Sequence, residues 1–238
     1  MLILGIDTSS ISCSVGVLNT DTKLCAESFV NNGLTHSQTL LPLIEETIQK
    51  AGVTAKDIDL IAVTKGPGSF TGLRIGMATV KGLSAPVNTP CVCVSTLEAI
   101  AKTASGDKRL KQKSCVLCAV MDARCNQVYN ALFECDDCGN LTRITEDRAI
   151  AVLDLENELE KINKPVFLCG DGEKVCKSKF EKINYNVVSD EFKLPRGKFV
   201  CELGEIYKEK AQTGNEISPV YLRLPQASRE LLKKKKEK

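Results

Sequence analysis

The chain begins with the sequence Leu2-Ile3-Leu4-Gly5-Ile6-Asp7-Thr8-Ser9, a run of apolar residues that ends in an acid and two hydroxyls. A short apolar run bounded by polar residues is typical of a buried strand. A second run of this kind covers 116–121, in the middle of the chain, and ends in Asp122. Two strands of the same design suggest that the fold is built from two similar halves.

The segments that follow these two strands occur in the same order. In the first half the pattern predicts strands over 13–18 and 23–30, a helix over 39–51, a strand over 60–64, a helix over 71–85 and a strand over 91–94. In the second half it predicts strands over 116–121, 127–134 and near 141–144, a helix over 154–162, a strand over 165–168, and helices over 174–180 and 198–212. Pro42 fits the first helix only if that helix begins near Leu40, so that the missing N–H falls in its first turn.

This duplicated order favours an α/β fold over separate α and β domains. Two ribonuclease-H-like halves that face each other are what an actin-like (ASKHA) fold requires. We therefore predict an N-terminal half over 1–104, a C-terminal half over 108–225, and a Lys-rich tail over 226–238 that we expect to be disordered.

The composition, with 43% hydrophobic and 26% charged residues, is that of an ordinary soluble globular protein. No segment approaches the ~20 apolar residues of a membrane helix and the start lacks a secretory signal, so we expect a cytoplasmic protein without membrane association. The last ten residues carry six basic and two acidic side chains, so the rest of the chain has net charge −2. That charge, with only 5% aromatic residues, argues against a stand-alone RNA-binding module.

Twelve cysteines are present, and in a reducing compartment we expect all of them to be thiols. Cys115-x2-Cys118 followed by Cys135-x2-Cys138 has the spacing of a zinc ribbon. However, Cys115 and Cys118 lie in a predicted strand, where residues three apart face opposite sides of the sheet. We therefore expect these cysteines to be small apolar core residues and not metal ligands. We also expect no bound cofactor.

A glycine-rich segment, Gly66-Pro67-Gly68-Ser69-Phe70-Thr71-Gly72-Leu73-Arg74, connects the predicted strand over 60–64 to the next helix. It is not a phosphate-binding P-loop, because no Gly-Lys-Ser/Thr follows, and Thr71 stands where a dinucleotide fingerprint has its third glycine. Free N–H groups at a helix start still allow weak anion binding. The candidate vestigial nucleotide site consists of Asp7, Thr8, Ser9, Gly66, Gly68 and Ser69.

Small residues also recur on one face of the helix over 71–85, at Gly72, Gly76, Thr79 and Gly82. Each glycine costs a helix about 1 kcal/mol relative to alanine, so the accumulation needs a reason. Close approach of another helix would supply it. The spacing does not show whether that helix belongs to the same chain or to a partner.

Several further motifs are spread along nearly the whole chain. They are Leu4-Gly5-Ile6-Asp7-Thr8-Ser9, His36-Ser37-Gln38, the segment from Gly66 to Leu83, Val94-Ser95-Thr96-Leu97-Glu98-Ala99, Asp122-Ala123-Arg124, Gly170-Asp171-Gly172 and Pro219-Val220-Tyr221-Leu222-Arg223. Together these motifs resemble those of the TsaB proteins. The Gly-Pro-Gly-Ser-Phe-Thr-Gly-Leu-Arg run is the most specific of them. The cysteine-rich composition and the Lys-rich tail are not part of the usual pattern.

The related catalytic subunit, TsaD, carries a His-x-x-x-His metal pair, and the resemblance places Thr96 and Ile100 at those two positions. His36 is the only histidine, so a two-histidine metal site is impossible within one chain. The resemblance thus implies a non-catalytic subunit that pairs with a TsaD-like subunit for threonylcarbamoyl transfer to N6 of adenosine 37 in tRNAs that read ANN codons.

The resemblance also implies the partners. A TsaE-like ATPase completes the assembly, tRNA binds only through the complex, and the chain alone forms a homodimer. The partner is expected on helices of the first half, at Leu41, Ile44, Ile48, Gly72, Ile75, Gly76 and Thr79.

Two other functions remain as alternatives. The first is a nucleotide-dependent enzyme of the actin, sugar-kinase and Hsp70 class, with Asp7, Asp122 and the turns at Gly66 and Gly170 where such enzymes hold metal and phosphates. Against it, neither acid is followed by a glycine, and both acids suit a turn-capping role. The second is a peptidase, but a single histidine offers no obvious Ser-His-Asp set, and we expect His36 to be a surface or helix-start residue.

Overall fold

The computed structural model describes residues 1–110 and 114–223, so the predicted tail over 226–238 lies outside the described residues. The first five strands form one sheet in the order β3-β2-β1-β4-β5. They are β1 (Leu2–Asp7), β2 (Cys13–Asn19), β3 (Cys25–Val30), β4 (Leu60–Thr64) and β5 (Cys91–Val94). Strands β1 to β3 form an antiparallel meander, whereas β4 and β5 run parallel to β1.

The second sheet repeats this plan in the order β11-β10-β6-β7-β8, with β9 also paired to β7. Its strands are β6 (Cys115–Asp122), β7 (Gln127–Cys135), β8 (Leu141–Arg143), β9 (Arg148–Ala151), β10 (Val166–Cys169) and β11 (Asn186–Val187). Again a three-stranded antiparallel meander is extended by two parallel strands. The predicted duplication is confirmed, and the architecture is that of an actin-like fold.

In the described residues, six α-helices lie outside and between the two sheets, which gives five layers. They are α1 (His36–Ala51), α2 (Phe70–Ser84), α3 (Thr96–Ala104), α4 (Val152–Leu159), α5 (Glu173–Lys177) and α6 (Gly197–Ile206). Helices α1 and α2 cover the outer face of the first sheet, and α4 and α5 cover the outer face of the second. Helices α3 and α6 pack between the two sheets. No helix in the described part of the chain has the length and hydropathy of a membrane span.

Helix α1 begins earlier than predicted, at His36 rather than near Leu40. The side chain of Gln38 accepts a hydrogen bond from the backbone N–H of Thr35 at 3.4 Å, which stabilises the earlier start. Pro42 therefore lies inside the helix, on its exposed side, where water can bond the carbonyl that the proline leaves free. The predicted start of the helix was wrong because the prediction gave Pro42 more weight than the capping interaction between Thr35 and Gln38.

Helix α3 and the strands β9 and β11 were not predicted. Helix α3 has only nine residues, which is too short a segment to establish a helical period in the sequence, and its polar stripe consists of Glu98 and Lys102 alone. It falls within the predicted half over 1–104 but packs mainly on the second sheet, whereas α6 packs on the first. The inner face of each sheet is thus covered by a helix from the other half of the sequence.

Helix α6 lies directly on the backbone of the first sheet. A Cβ added at Gly16 would stand 2.5 Å from the carbonyl carbon of Gly197, and one at Gly5 would stand 2.6 Å from the Gly197 oxygen. The Ser14 hydroxyl accepts a hydrogen bond from the Gly197 N–H at 2.7 Å. Glycine is required at these strand positions because a side chain would push the helix off the sheet.

Candidate functional site

The carboxyl edge of the first sheet carries the acid and hydroxyls noted at the start of the chain. Asp7 is completely buried at the end of β1. Its Oδ1 accepts hydrogen bonds from Ser9 Oγ at 2.6 Å and from Thr64 Oγ1 at 2.7 Å. Its Oδ2 has no partner among the described residues, and burial raises the pKa of Asp7. Asp7 thus bonds to residues of its own sheet edge.

The N-terminus of α2 packs directly onto the turn after β1. The Ser69 N–H donates to the Ser9 carbonyl at 2.7 Å, and Ser69 Oγ caps the helix by accepting from the Gly72 N–H. A Cβ at Gly68 would stand 2.4 Å from the Ser9 carbonyl oxygen, and one at Gly72 would stand 2.1 Å from the Thr8 carbonyl oxygen. These glycines are therefore explained by packing within the chain.

Gly76 continues this contact one turn further along α2. A Cβ there would stand 2.4 Å from Thr8 Oγ1, which itself donates to the Gly72 carbonyl at 2.8 Å. Gly82, by contrast, has no atom within 4 Å of a Cβ position. Gly72 and Gly76 thus permit close packing within the chain, but the element that approaches them is mainly the turn after β1 and not the predicted helix. Gly82 remains exposed.

A cleft of about 800 Å³ lies between the two halves. One wall carries Ser9, Ser10, Gly68 and Ser69, the other carries residues at the ends of β6 and β10, and the last described residues close one side. Gly66 is not in the lining; its carbonyl accepts from the Thr96 N–H at 3.0 Å. Of the other candidate nucleotide residues, Ser9, Gly68 and Ser69 line the cleft, whereas Asp7 and Thr8 are completely buried and do not. The Ser9 hydroxyl and the Ser69 N–H are already bonded within the chain. Nucleotide binding there stays a prediction.

The charged groups of the second wall largely neutralise one another. Lys193 pairs with both Glu173 and Asp190 at 2.7 Å, and the Arg124 guanidinium lies 3.3 Å from Asp122. Asp171 accepts a hydrogen bond from the backbone of Asp122, and burial raises the pKa of Asp171. The cleft thus has mixed polar and aromatic walls without a single dominant charge.

His36 is the first residue of α1, as one of the two expectations had it, and it is partly buried. Its Nε2 lies 2.9 Å from the Ser10 carbonyl, and its Nδ1 has no partner among the described residues. A catalytic triad needs the imidazole bonded to a nucleophilic hydroxyl and to an orienting carboxylate. The contacts of His36 match neither requirement.

The positions at which a metal was considered are part of the apolar core. Thr96 and Ile100 are both buried in α3, and Ile100 packs against the second sheet. Cys115 and Cys118 belong to apolar clusters on opposite faces of β6, which confirms the argument against a shared zinc ion. In the described residues the one close group of three potential ligands is the turn Asp136, Asp137 and Cys138, which is mostly exposed.

The predicted partner-binding residues divide into two groups. Ile44, Gly72 and Gly76 are buried within the chain, so they cannot contact a partner unless the fold opens. Leu41 is 52% exposed, and Ile48, Ile75 and Thr79 are half-buried. The predicted interface set omitted Arg74 and Ala78, which are exposed on α2, and also Gly82, which the sequence had placed on the small-residue face. An i, i+4 count outward from Arg74 connects the three.

We call the second group and these additions the α1–α2 face. It consists of Leu41, Ile48, Arg74, Ile75, Ala78, Thr79 and Gly82.

Comparisons with known proteins give matches over most of the chain. A model of the family described as TsaD, tRNA N6-adenosine threonylcarbamoyltransferase, matches residues 32–229. The tRNA threonylcarbamoyladenosine biosynthesis protein TsaB of Haemophilus influenzae is 30% identical over 230 residues, which cover 94% of each chain. TsaB of Bacillus subtilis is 29% identical over 237 residues, which cover 99% of this chain and all of that protein.

Solved structures show the same fold. YeaZ from Pseudomonas aeruginosa superposes with a TM-score of 0.78 at 24% identity, over 93% of this chain and 99% of that one. The ethanolamine utilization protein EutJ from Carboxydothermus hydrogenoformans superposes with a TM-score of 0.50 at 13% identity, over 85% of this chain and 90% of that one.

Proposed function

The chain belongs to the TsaB family of tRNA threonylcarbamoyladenosine biosynthesis proteins, and from this premise we propose that it is the non-catalytic subunit of the transferase. It pairs with a TsaD-like catalytic subunit, which transfers the threonylcarbamoyl group to N6 of adenosine 37 in tRNAs that read ANN codons. The chain itself supplies no reacting group and needs no cofactor of its own.

The observation that carries this proposal is the position of Thr96 and Ile100. The resemblance described above pairs these residues with the metal-binding histidines of the related catalytic subunit, and both are buried in α3. Neither a threonine hydroxyl nor an isoleucine can replace an imidazole ligand. Since the chain has one histidine in all, the required pair would have to come from another subunit.

The packing around Asp7 supports the same assignment. Ser9 and Thr64 bond Asp7, and the start of α2 fills the space above the turn, with Gly68 and Gly72 in contact with backbone oxygens. A phosphate-binding turn needs several free N–H groups that converge on one point. Here the Ser69 N–H is bonded to Ser9, so we expect at most weak nucleotide binding.

The α1–α2 face is the surface that we assign to the partner subunit. It exposes an apolar side chain at Leu41 and small residues at Ala78 and Gly82, and small residues permit close approach of a partner helix. The same face serves a homodimer when the catalytic subunit is absent. A TsaE-like ATPase joins the assembled pair, and tRNA binds through the complex.

Gly82→Leu tests this surface. A leucine there enters open space on α2, so the fold should persist, while partner association should weaken at least tenfold because the face can no longer be approached closely. Lys177→Leu is the matched control, since it adds the same side chain at an exposed position on α5 of the second half. Titration of the TsaD-like subunit by calorimetry measures the effect, and equal affinities of both variants would contradict the assignment.

A further inference from the structure

The last described residues form a bridge between the two halves. We call residues 220–223 the strap. The Val220 N–H donates to the Lys65 carbonyl at 2.7 Å, which seats the strap on the turn before α2. A Cβ at Gly66 would stand 2.5 Å from the Val220 carbonyl oxygen, so glycine is needed for this approach. The strap therefore contacts the first half through backbone atoms that a local side-chain change does not remove.

One residue further on, the strap contacts α2 through side chains. The Tyr221 ring lies 4.8 Å from the Phe70 ring, and the Tyr221 hydroxyl accepts a hydrogen bond from Arg74 Nε at 3.1 Å. The Arg74 guanidinium also stacks on Phe70, 3.8 Å from the ring centre. Arg74 is exposed, so without these two contacts its long side chain would sample many rotamers.

The far end of the strap reaches the second half. The Arg223 guanidinium donates hydrogen bonds to the carbonyls of Ala123 and Arg124, in the hairpin between β6 and β7. That hairpin holds Arg124, Cys125 and Asn126 at positive φ angles of 65°, 56° and 56°. Residues with a Cβ adopt this conformation at a cost, so contacts from outside the hairpin help to maintain it. Strap and hairpin together form one side of the cleft.

From these contacts we propose that the strap couples the α1–α2 face to the β6–β7 hairpin of the second half, with Tyr221 as the residue that positions Arg74 for the partner. The inference rests on the proposed function, because it assigns the TsaD-like subunit to that face. When the strap is seated, Arg74 is held in one conformation and the partner loses less side-chain entropy on binding. By reciprocity, partner binding favours the seated strap and holds the second half's hairpin in place.

Tyr221→Phe separates these contacts, since it keeps the ring on Phe70 and removes the hydroxyl that bonds Arg74. We expect the affinity for the TsaD-like subunit to fall roughly three- to tenfold, because one hydrogen bond to a charged, exposed group is lost. Tyr185→Phe is the control, as it removes the same atom from a ring that packs with Phe180 outside the second sheet. The melting temperature of both variants should stay near that of the wild type.

A second variant, Arg223→Ala, acts at the opposite end of the strap, on the hairpin of the second half. The coupling predicts a loss of partner affinity here as well, although the hydrogen bonds of Arg223 in the described part of the chain go to the hairpin and not to α2. Hydrogen exchange at the Val220 amide reports the seating of the strap directly, since that amide is bonded to Lys65. Exchange there should slow when the partner is added to the full-length wild-type chain, and less so in either variant.

The outcomes separate the two claims. The first outcome is that the wild-type chain binds the TsaD-like subunit, neither variant changes the affinity, and the partner leaves the Val220 exchange rate unaffected. In that case the coupling is wrong and the proposed function stands. If the wild-type chain does not bind that subunit, the proposed function fails and the coupling falls with it. Reduced affinity in both variants, with slower Val220 exchange on binding, supports the coupling.

Discussion

Replacing Gly76 by alanine should destabilise the protein, whereas the same change at Gly82, in the same helix, should not. At Gly76 the new methyl group would stand 2.4 Å from Thr8 Oγ1, well inside van der Waals contact. Thr8 could move only by giving up its hydrogen bond to the Gly72 carbonyl. At Gly82 the methyl group enters open space.

The sizes of these effects follow from three contributions. Overpacking of a buried contact costs about 1–3 kcal/mol, and loss of the Thr8 hydrogen bond costs about 1 kcal/mol. Alanine in place of glycine returns up to about 1 kcal/mol of helix propensity. Gly76→Ala should therefore lower the free energy of unfolding by about 1–3 kcal/mol, and Gly82→Ala should raise it by a few tenths to about 1 kcal/mol.

Chemical denaturation of the wild type and both variants under identical conditions measures the difference. For a chain of this size each 1 kcal/mol corresponds to roughly 2–4 °C in melting temperature, so a thermal melt gives an independent check. Equal stability of the two variants, or a Gly76→Ala protein as stable as the wild type, would refute the claim that the glycine is required by packing against Thr8. Affinity for the partner should be changed little by Gly76→Ala once the protein is folded.

Three further predictions concern stability and the thiols. Arg109 holds the pKa of buried Asp107 well below its usual range, so Asp107→Asn should lower the free energy of unfolding by about 2 kcal/mol at pH 7. A carboxyl group whose pKa is lowered by folding stabilises the fold only above its unfolded pKa. Denaturation at several pH values should therefore show the difference between variant and wild type shrinking below about pH 4. A thiol reagent on the native protein should modify the exposed Cys125 and Cys138 first, as followed by mass spectrometry, and fast reaction of the buried thiols would contradict the core assignment. Ile100→Ala should lower the free energy of unfolding by about 2–4 kcal/mol through a cavity in the core around α3, and a denaturation curve that matches the wild type would place Ile100 outside that core.

Much of the fold was predictable because its strongest signals are local. The apolar runs at β1 and β6, each ending in an acid, and the glycine turn before α2 predicted the duplicated order that the two sheets display. Helix α3 escaped prediction for a physical reason. It has only nine residues, so the spacing of Glu98 and Lys102 is too brief a pattern to separate a helix from a loop in the sequence.

The candidate interface was predictable only in part. Spacing places Gly72, Gly76 and Gly82 on one side of a helix, but it does not show what covers that side. The turn after β1, some sixty residues earlier in the chain, covers the first two and leaves Gly82 free. Arg74 and Tyr221 lie 147 residues apart, and no local pattern relates them. Long-range packing of this kind becomes visible only in the folded chain.

We propose that the chain is an activator that works through its partner and carries no catalytic group of its own. That division rests on the core positions of Thr96 and Ile100 and on the packing around Asp7. A rival enzyme of the nucleotide-dependent class would use the cleft between the halves instead. The two functions differ in whether the isolated chain catalyses a nucleotide-dependent reaction.

The most direct test is a tRNA modification assay in which the components are omitted one at a time, combined with light scattering on the chain alone and mixed with the TsaD-like subunit of the same cell. We expect a stable complex, transfer of the threonylcarbamoyl group only when both subunits are present, and no turnover by this chain alone. Failure of the two proteins to associate, or nucleotide-dependent turnover by the isolated chain, would contradict the proposal.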